Sequence, residues 1–237
     1  MIGGRDSGSR FAAFVFPLAL ALAAALAAGR AEAAGGAYSV DDSEIGKPGE
    51  CKVESWASFA RNHDFIGAVS PACVFQFFRP VELGAQFQRA RSDGTWNTGT
   101  TLKAKTSLIP IEGHPFGLGL SGGVSFDLTN HETSSYFFSV PVTFQISEPL
   151  RINFNVGGLW DRIDERQFVT WGAGFEYSLV KLFTLIGEVF GQGTQNPSAQ
   201  LGLRYTPTEK IDFDLIFGRN LTGEQANWIT LGVNLRR

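Results

Sequence analysis

Alternation with a period of two is the feature that most narrows the folds open to this chain. In residues 210–219, Ile211, Phe213, Leu215 and Phe217 alternate with Asp212, Asp214, Ile216 and Gly218. A polar stretch follows, and then Ile229, Leu231, Val233 and Leu235 alternate with Thr230, Gly232, Asn234 and Arg236. Side chains on a β-strand point to opposite faces in turn, so each run reads as a strand with one apolar and one polar face. Joined by residues 220–227, the two runs make an antiparallel hairpin, and the same unit recurs back to about residue 50.

Twelve such runs are expected, at 51–60, 66–78, 81–91, 95–108, 116–128, 136–147, 151–161, 167–179, 182–191, 199–206, 210–219 and 227–236. Most match the roughly 9–11 residues that a tilted strand needs to cross a bilayer. An even strand number is usual for single-chain bacterial barrels. The fold class is therefore all-β: an up-and-down antiparallel transmembrane β-barrel of about 12 strands. Leu118, Leu120, Val124, Phe126 and Leu128 carry one apolar face, and Val140, Val142, Phe144 and Ile146 another. Pro141, on the polar face of the latter strand, predicts a bulge or distortion, because proline cannot donate to the ladder. Connections around residues 79–80, 109–115, 148–149, 180–181 and 207–209 are short and often carry proline, whereas the alternate set is longer and more polar. That asymmetry predicts periplasmic turns at one end, with both termini, and outer loops at the other. A soluble barrel with the apolar face turned inward is the rival reading; bilayer-length strands, loop asymmetry and aromatic strand ends together favour the membrane.

The N-terminus predicts export. Arg5 and Arg10 precede an uncharged stretch from Phe11 to Ala28, and Ala31-Glu32-Ala33 forms a small-residue cleavage site. Residues 1–33 thus read as a signal peptide cut after Ala33. The whole chain has 20 Lys+Arg and 23 Asp+Glu; residues 1–33 hold three and two of them, leaving 17 and 21, a net −4. No basic field points to nucleic acid. Mean hydropathy near zero, with no second long apolar run, excludes a helical membrane protein. Residues 34–50, with Asp41, Asp42, Ser43 and Glu44, read as a solvated periplasmic N-terminal segment ahead of a barrel at 51–237.

The two cysteines fall on the first two strands. A hairpin turning at Asn62 sets Cys51 directly opposite Cys73, within disulfide reach. A bridge there is worth about 3 kcal/mol on loop-entropy grounds. Trp96, Trp160 and Trp171 fall near the loop ends of strands and Tyr177, Phe183 and Tyr205 near the turn ends, the pattern of two interfacial aromatic girdles.

On the polar face, hairpin register brings Arg151 near Glu176, Glu176 near Glu188, Glu188 near Arg204, Arg204 near Asp212 and Asp212 near Arg236. Glu82 falls beside Lys103 and Lys105. Paired lumen charges serve as an ionic staple across a narrow interior, the favoured reading, or as a constriction that selects solutes. Glycines such as Gly117, Gly119, Gly172 and Gly174 leave room in the lumen. No metal cluster, cofactor motif or catalytic set is expected. His131, beside Thr133 and Ser134, is the one arrangement that suggests a membrane-embedded hydrolase, and it lacks an identifiable orienting partner.

Across residues 50–237 the chain resembles bacterial outer-membrane β-barrels. Asp41-Asp42-Ser43-Glu44-Ile45-Gly46, then Gly49-Glu50 and Val53-Glu54, are similar to the opening of outer-membrane transporters linked to phenol meta-pathway degradation. The resemblance implies uptake of small solutes, aromatic or apolar ones included, with outer-membrane lipid and the barrel-assembly machinery as partners. Such barrels commonly end on an aromatic residue, whereas this sequence ends Asn234-Leu235-Arg236-Arg237. The expected function is a passive channel or transporter, the alternatives being a closed barrel that displays its loops and the hydrolase.

Overall fold

The computed structural model describes residues 37–193, 195–222 and 226–237, so the signal peptide assigned to residues 1–33 lies outside the described residues. Within them the alternating runs form twelve strands: β1 (Cys51–Ala60), β2 (Phe65–Gln76), β3 (Pro80–Ser92), β4 (Thr95–Ile109), β5 (Gly117–Asp127), β6 (Glu132–Ser147), β7 (Leu150–Asp161), β8 (Arg166–Val180), β9 (Phe183–Gln192), β10 (Gln195–Thr208), β11 (Ile211–Asn220) and β12 (Asn227–Arg236). Each strand pairs antiparallel with the next. β1 closes the sheet on β12, from Lys52↔Arg236 to Ala60↔Trp228. Closure leaves no free strand edge.

The apolar face is outside. Phe138, Val169 and Phe217 are 55%, 60% and 56% exposed, whereas Glu176, Arg204 and Asp212 retain 2%, 3% and 1%. That distribution is the reverse of a soluble barrel, and an exterior this apolar requires apolar surroundings. The hydrophobic cluster inside is small: Tyr38, Ile186 and Ile216.

Strand boundaries follow the alternation closely except where both faces are polar. β6 begins at Glu132 rather than 136, and β10 runs Gln195–Thr208 rather than 199–206. Period-two contrast vanishes in Glu132–Ser135, so the pattern could not mark them. Pro141 makes no bulge. The β5–β6 register is the same on both sides of it, at Leu118↔Val142 and Ser121↔Ser139, and the shift falls instead at Ser125/Phe126. Pro141 faces inward, where a Cβ on Gly119 would lie 2.9 Å from its ring.

Connection length does not separate the two ends as expected. Residues 110–116 make the longest connection on the turn side, whereas Asp93-Gly94 alone joins β3 to β4 on the loop side. Asp93 (φ 49°) and Gly94 (φ 82°) both adopt the left-handed conformation that a two-residue hairpin of this twist requires. Cys51 pairs with Cys73 in register, and the two form a disulfide with Cα atoms 4.1 Å apart.

Aromatic side chains stand at both rims. At the turn end Phe183, Tyr205 and Phe213 stack in sequence, with centroids 5.0 and 6.4 Å apart, and Tyr177 is exposed on β8. Toward the loops, Trp96 lies beneath Arg89, Trp160 beneath Arg162, and the Trp171 indole N–H donates to the Gly193 carbonyl.

Candidate functional site: a threaded lumen

Lumen-facing positions repeat every second residue, so the registers place charges and amides of successive strands side by side. The segment before β1 lies among them. Residues 37–44 thread the barrel instead of forming a solvated lead-in: Val40 is 1% exposed, and Asp42 and Ser43 are fully buried. The backbone of this segment forms no strand. Its buried N–H groups must therefore find side-chain partners on the walls.

Those partners come from many sides. Ser39 and Val40 donate their N–H groups to the two oxygens of Glu188 on β9, at 2.7 and 3.0 Å. The Asp41 N–H donates to Asn155 Oδ1 on β7 at 2.6 Å, and Asn155 Nδ2 donates to the Asp41 carbonyl at 2.7 Å. The Ser43 N–H donates to Thr143 Oγ1 on β6 at 2.9 Å. Gln200 on β10 bridges the Ala37 carbonyl and Glu188. Lys105 on β4 donates to both Asp41 and Asp42, at 2.8 and 2.9 Å, and Arg151 pairs with Glu44 at 3.0 Å. Burial raises the Asp41 carboxyl, but Lys105, Lys103 and Lys52 together outweigh it and hold the group below its ordinary value.

The lumen is shaped for this segment. A Cβ on Gly117 would stand 2.1 Å from Ser43 Oγ, on Gly172 2.7 Å from Val40 Cγ2, and on Gly202 2.2 Å from the Tyr38 hydroxyl. Side chains at these positions would occupy the space the segment takes. The Tyr38 ring also lies under the Arg204 guanidinium at 5.5 Å.

Around the thread, the expected charges are only partly partnered as the hairpin arithmetic suggested. Arg151 is opposite Glu176, as expected. Glu176 instead accepts from Asn153, and Glu188, opposite Gly174 and Gln200, is bound to the threaded segment. Arg204 faces Asp214 and holds it in two hydrogen bonds at 2.8 and 3.0 Å, with Asp212 3.9 Å away. Asp212 is bound by Arg236 and by the Thr206 hydroxyl. Glu82 does lie opposite Lys105, but its cation is Lys52 at 3.3 Å. Lys103, opposite Gly84, acts on Asp41 through its charge. Asp214, Asn153, Asn155, Lys52 and the segment from Tyr38 to Ser43 are the participants that alternation did not single out.

Toward the loops the lumen changes character. Trp56, Phe137, Leu159, Phe168, Phe190 and Trp228 occupy lumen-parity positions there, all partly buried. Across from them a polar cavity of about 330 Å³ is lined by Gln88, Asn97, Thr101, Ser125, Asp127 and Ser135 among others. Asp127 accepts from Asn97, Thr129 and Asn130, which anchors the neighbouring turn. His131 sits at the tip of that turn with φ 60°.

A closed twelve-stranded barrel with an apolar exterior is also the fold of several solved outer-membrane channels. The KdgM porin matches 78% of this chain over 98% of its own, with TM-score 0.61 and 13% identity. The COG4313 outer membrane channel from Pseudomonas putida F1 matches 83% over 98%, at 0.59 and 13%. The NanC porin matches 77% over 98%, at 0.58 and 11%. At such identity the likeness is one of fold. No curated protein matches the chain. The family described as "Uncharacterised conserved protein UCP029691" matches residues 22–237, and the chain belongs to that family.

Proposed function

We propose that the protein is an outer-membrane channel for small solutes, aromatic or apolar ones included, whose lumen is closed at rest by its own N-terminal segment. The observation that carries this reading is the two-tier lumen. A polar, hydrogen-bonded thread fills the turn half, while an aromatic wall facing hydroxyls and amides lines the loop half. The wall offers apolar surface to a ring or chain, and the facing groups offer a few hydrogen bonds, the usual make-up of a small-molecule site. The fold shared with solved porins supports the same reading, and one of those, KdgM, has been solved in complex with disordered oligogalacturonate. In this reading the loop end faces outward and the chain termini lie in the periplasm. The lumen charges act as an ionic staple that binds thread to wall, because a buried charge is tolerated only when paired.

A second reading, a permanently closed barrel, is favoured by the number of walls the thread engages. Conductance separates the two. The channel reading expects sparse, small openings from the refolded mature protein and larger, frequent ones from D41N/D42N, which removes both carboxylates bound by Lys105. Silence from both proteins, with heat-shifted gel migration showing a folded barrel, would establish the closed alternative.

A further inference from the structure

Two lysines of β4, Lys103 and Lys105, project into the lumen at successive inward positions. Lys105 is taken up by Asp41 and Asp42. Lys103 lies one inward position nearer the loops and is partly buried, and its charge reaches Asp41, whose hydrogen bond goes to Lys105. None of the described residues hydrogen-bonds the Lys103 ammonium or forms an ion pair with it. Its neighbours across the strands are glycines, Gly84 on β3 and Gly123 on β5. Beyond Gly123 comes Phe137 on β6, whose ring covers that glycine: a Cβ there would stand 2.7 Å from Phe137 Cζ. One row toward the loops, the Thr101 and Ser125 hydroxyls are bonded at 2.9 Å, and both residues line the polar cavity. An ammonium and an aromatic ring thus stand on either side of a missing side chain, just inside that cavity.

We propose that Lys103 binds the carboxylate of a small aromatic acid, whose ring lies against Phe137 and extends into the polar cavity. The assignment rests on the channel reading above and narrows its solutes to those that carry an acid. An ammonium partly withdrawn from water holds a carboxylate more strongly than one in bulk water, because the local dielectric is lower. The solute ring gains apolar contact and aromatic pairing with Phe137. Lys52 and Lys105 do not compete for the anion, since each already faces two carboxylates: Glu54 and Glu82 for one, Asp41 and Asp42 for the other. Asp127 stands four residues further toward the loops on β5 than Gly123, the partner of Lys103, a span of about 13 Å. With the acid at the outer end and the ammonium at the inner end, a solute anion settles with its carboxylate inward.

The test is calorimetric titration of benzoate, benzyl alcohol and acetate into the refolded mature protein in neutral detergent. Benzoate binds wild type saturably and more tightly than either of the others. K103Q binds benzoate at least about tenfold more weakly, the loss of one charge-assisted hydrogen bond, and no longer prefers it to benzyl alcohol. K103R, which keeps the charge, restores most of the affinity. Equal benzoate affinity in wild type and K103Q, both showing heat-shifted migration, would overturn the proposal; saturable benzyl alcohol binding in both would then leave the channel reading standing. Acetate binding as tightly as benzoate would overturn it too, since an anion site with no place for the ring would remain. So would full displacement of benzoate by equimolar chloride. Absence of saturable binding by all three probes would also sink it, while the conductance of the mature protein decides the channel reading separately.

Discussion

Lys105 holds the threaded segment most directly, since its ammonium bonds two carboxylates of that segment inside the barrel. Lys105→Met strands Asp41 and Asp42 without their cation, and removing one partner of a buried pair costs about 3 kcal/mol. The cost falls on the threaded state, so the segment should leave the lumen and become cleavable by added protease while the barrel stays resistant. Gly202→Leu tests the same contact from the wall, because even its Cβ would meet the Tyr38 hydroxyl. Increased cleavage of the segment is expected there too, with unchanged gel migration. The pH dependence follows from Asp41. Its folded value is lowered, so its contribution is complete above the ordinary carboxylate value and fades as pH falls through the folded one. The share of the protection that Asp41 supplies should thus hold down to about pH 4 and be lost only below it, so D41N should lack the increase in protease access that wild type shows there. The same increase in D41N would contradict the pairing of Asp41 with Lys105.

At the scale of elements, the barrel was readable because alternation survives wherever one face is apolar. β1 and β12 carry the boundaries that the pattern sets, and the Cys51–Cys73 register followed from one turn position. Register failed where a turn was misplaced. β10 runs on to Thr208, so its turn into β11 sets Arg204 opposite Asp214 instead of Asp212, and β10 already starts at Gln195, which sets Glu188 opposite Gln200 rather than near Arg204. One misplaced turn residue moves every later pair along the hairpin. The disulfide closes a short hairpin, so C51S/C73S should lower stability by about 3 kcal/mol, read as an earlier urea midpoint in detergent. An unchanged midpoint would mean that the closed barrel already fixes β1 against β2.

For the whole molecule, the thread was the least legible part. Its bonds to the walls join residues 63 to 163 positions apart, from Lys105 with Asp42 to Gln200 with Ala37. The segment has no period, so nothing in its own pattern points to a lumen. Two signals were present nonetheless: an acidic run, Asp41 to Glu44, and glycines such as Gly117 and Gly172 that leave room in the lumen. Together they describe a cavity and the peptide that fills it. A filled lumen below an aromatic loop-side wall is the arrangement that the proposed channel, closed at rest, requires. Single-channel recording in a planar bilayer compares the mature protein with a form lacking residues 34–46, both shown to be folded by heat-shifted migration. The account predicts rare, small steps from the first and stable, larger steps from the second. Equal silence from the two would contradict it and leave a structural barrel; equal, large conductance would show that the segment does not close the lumen.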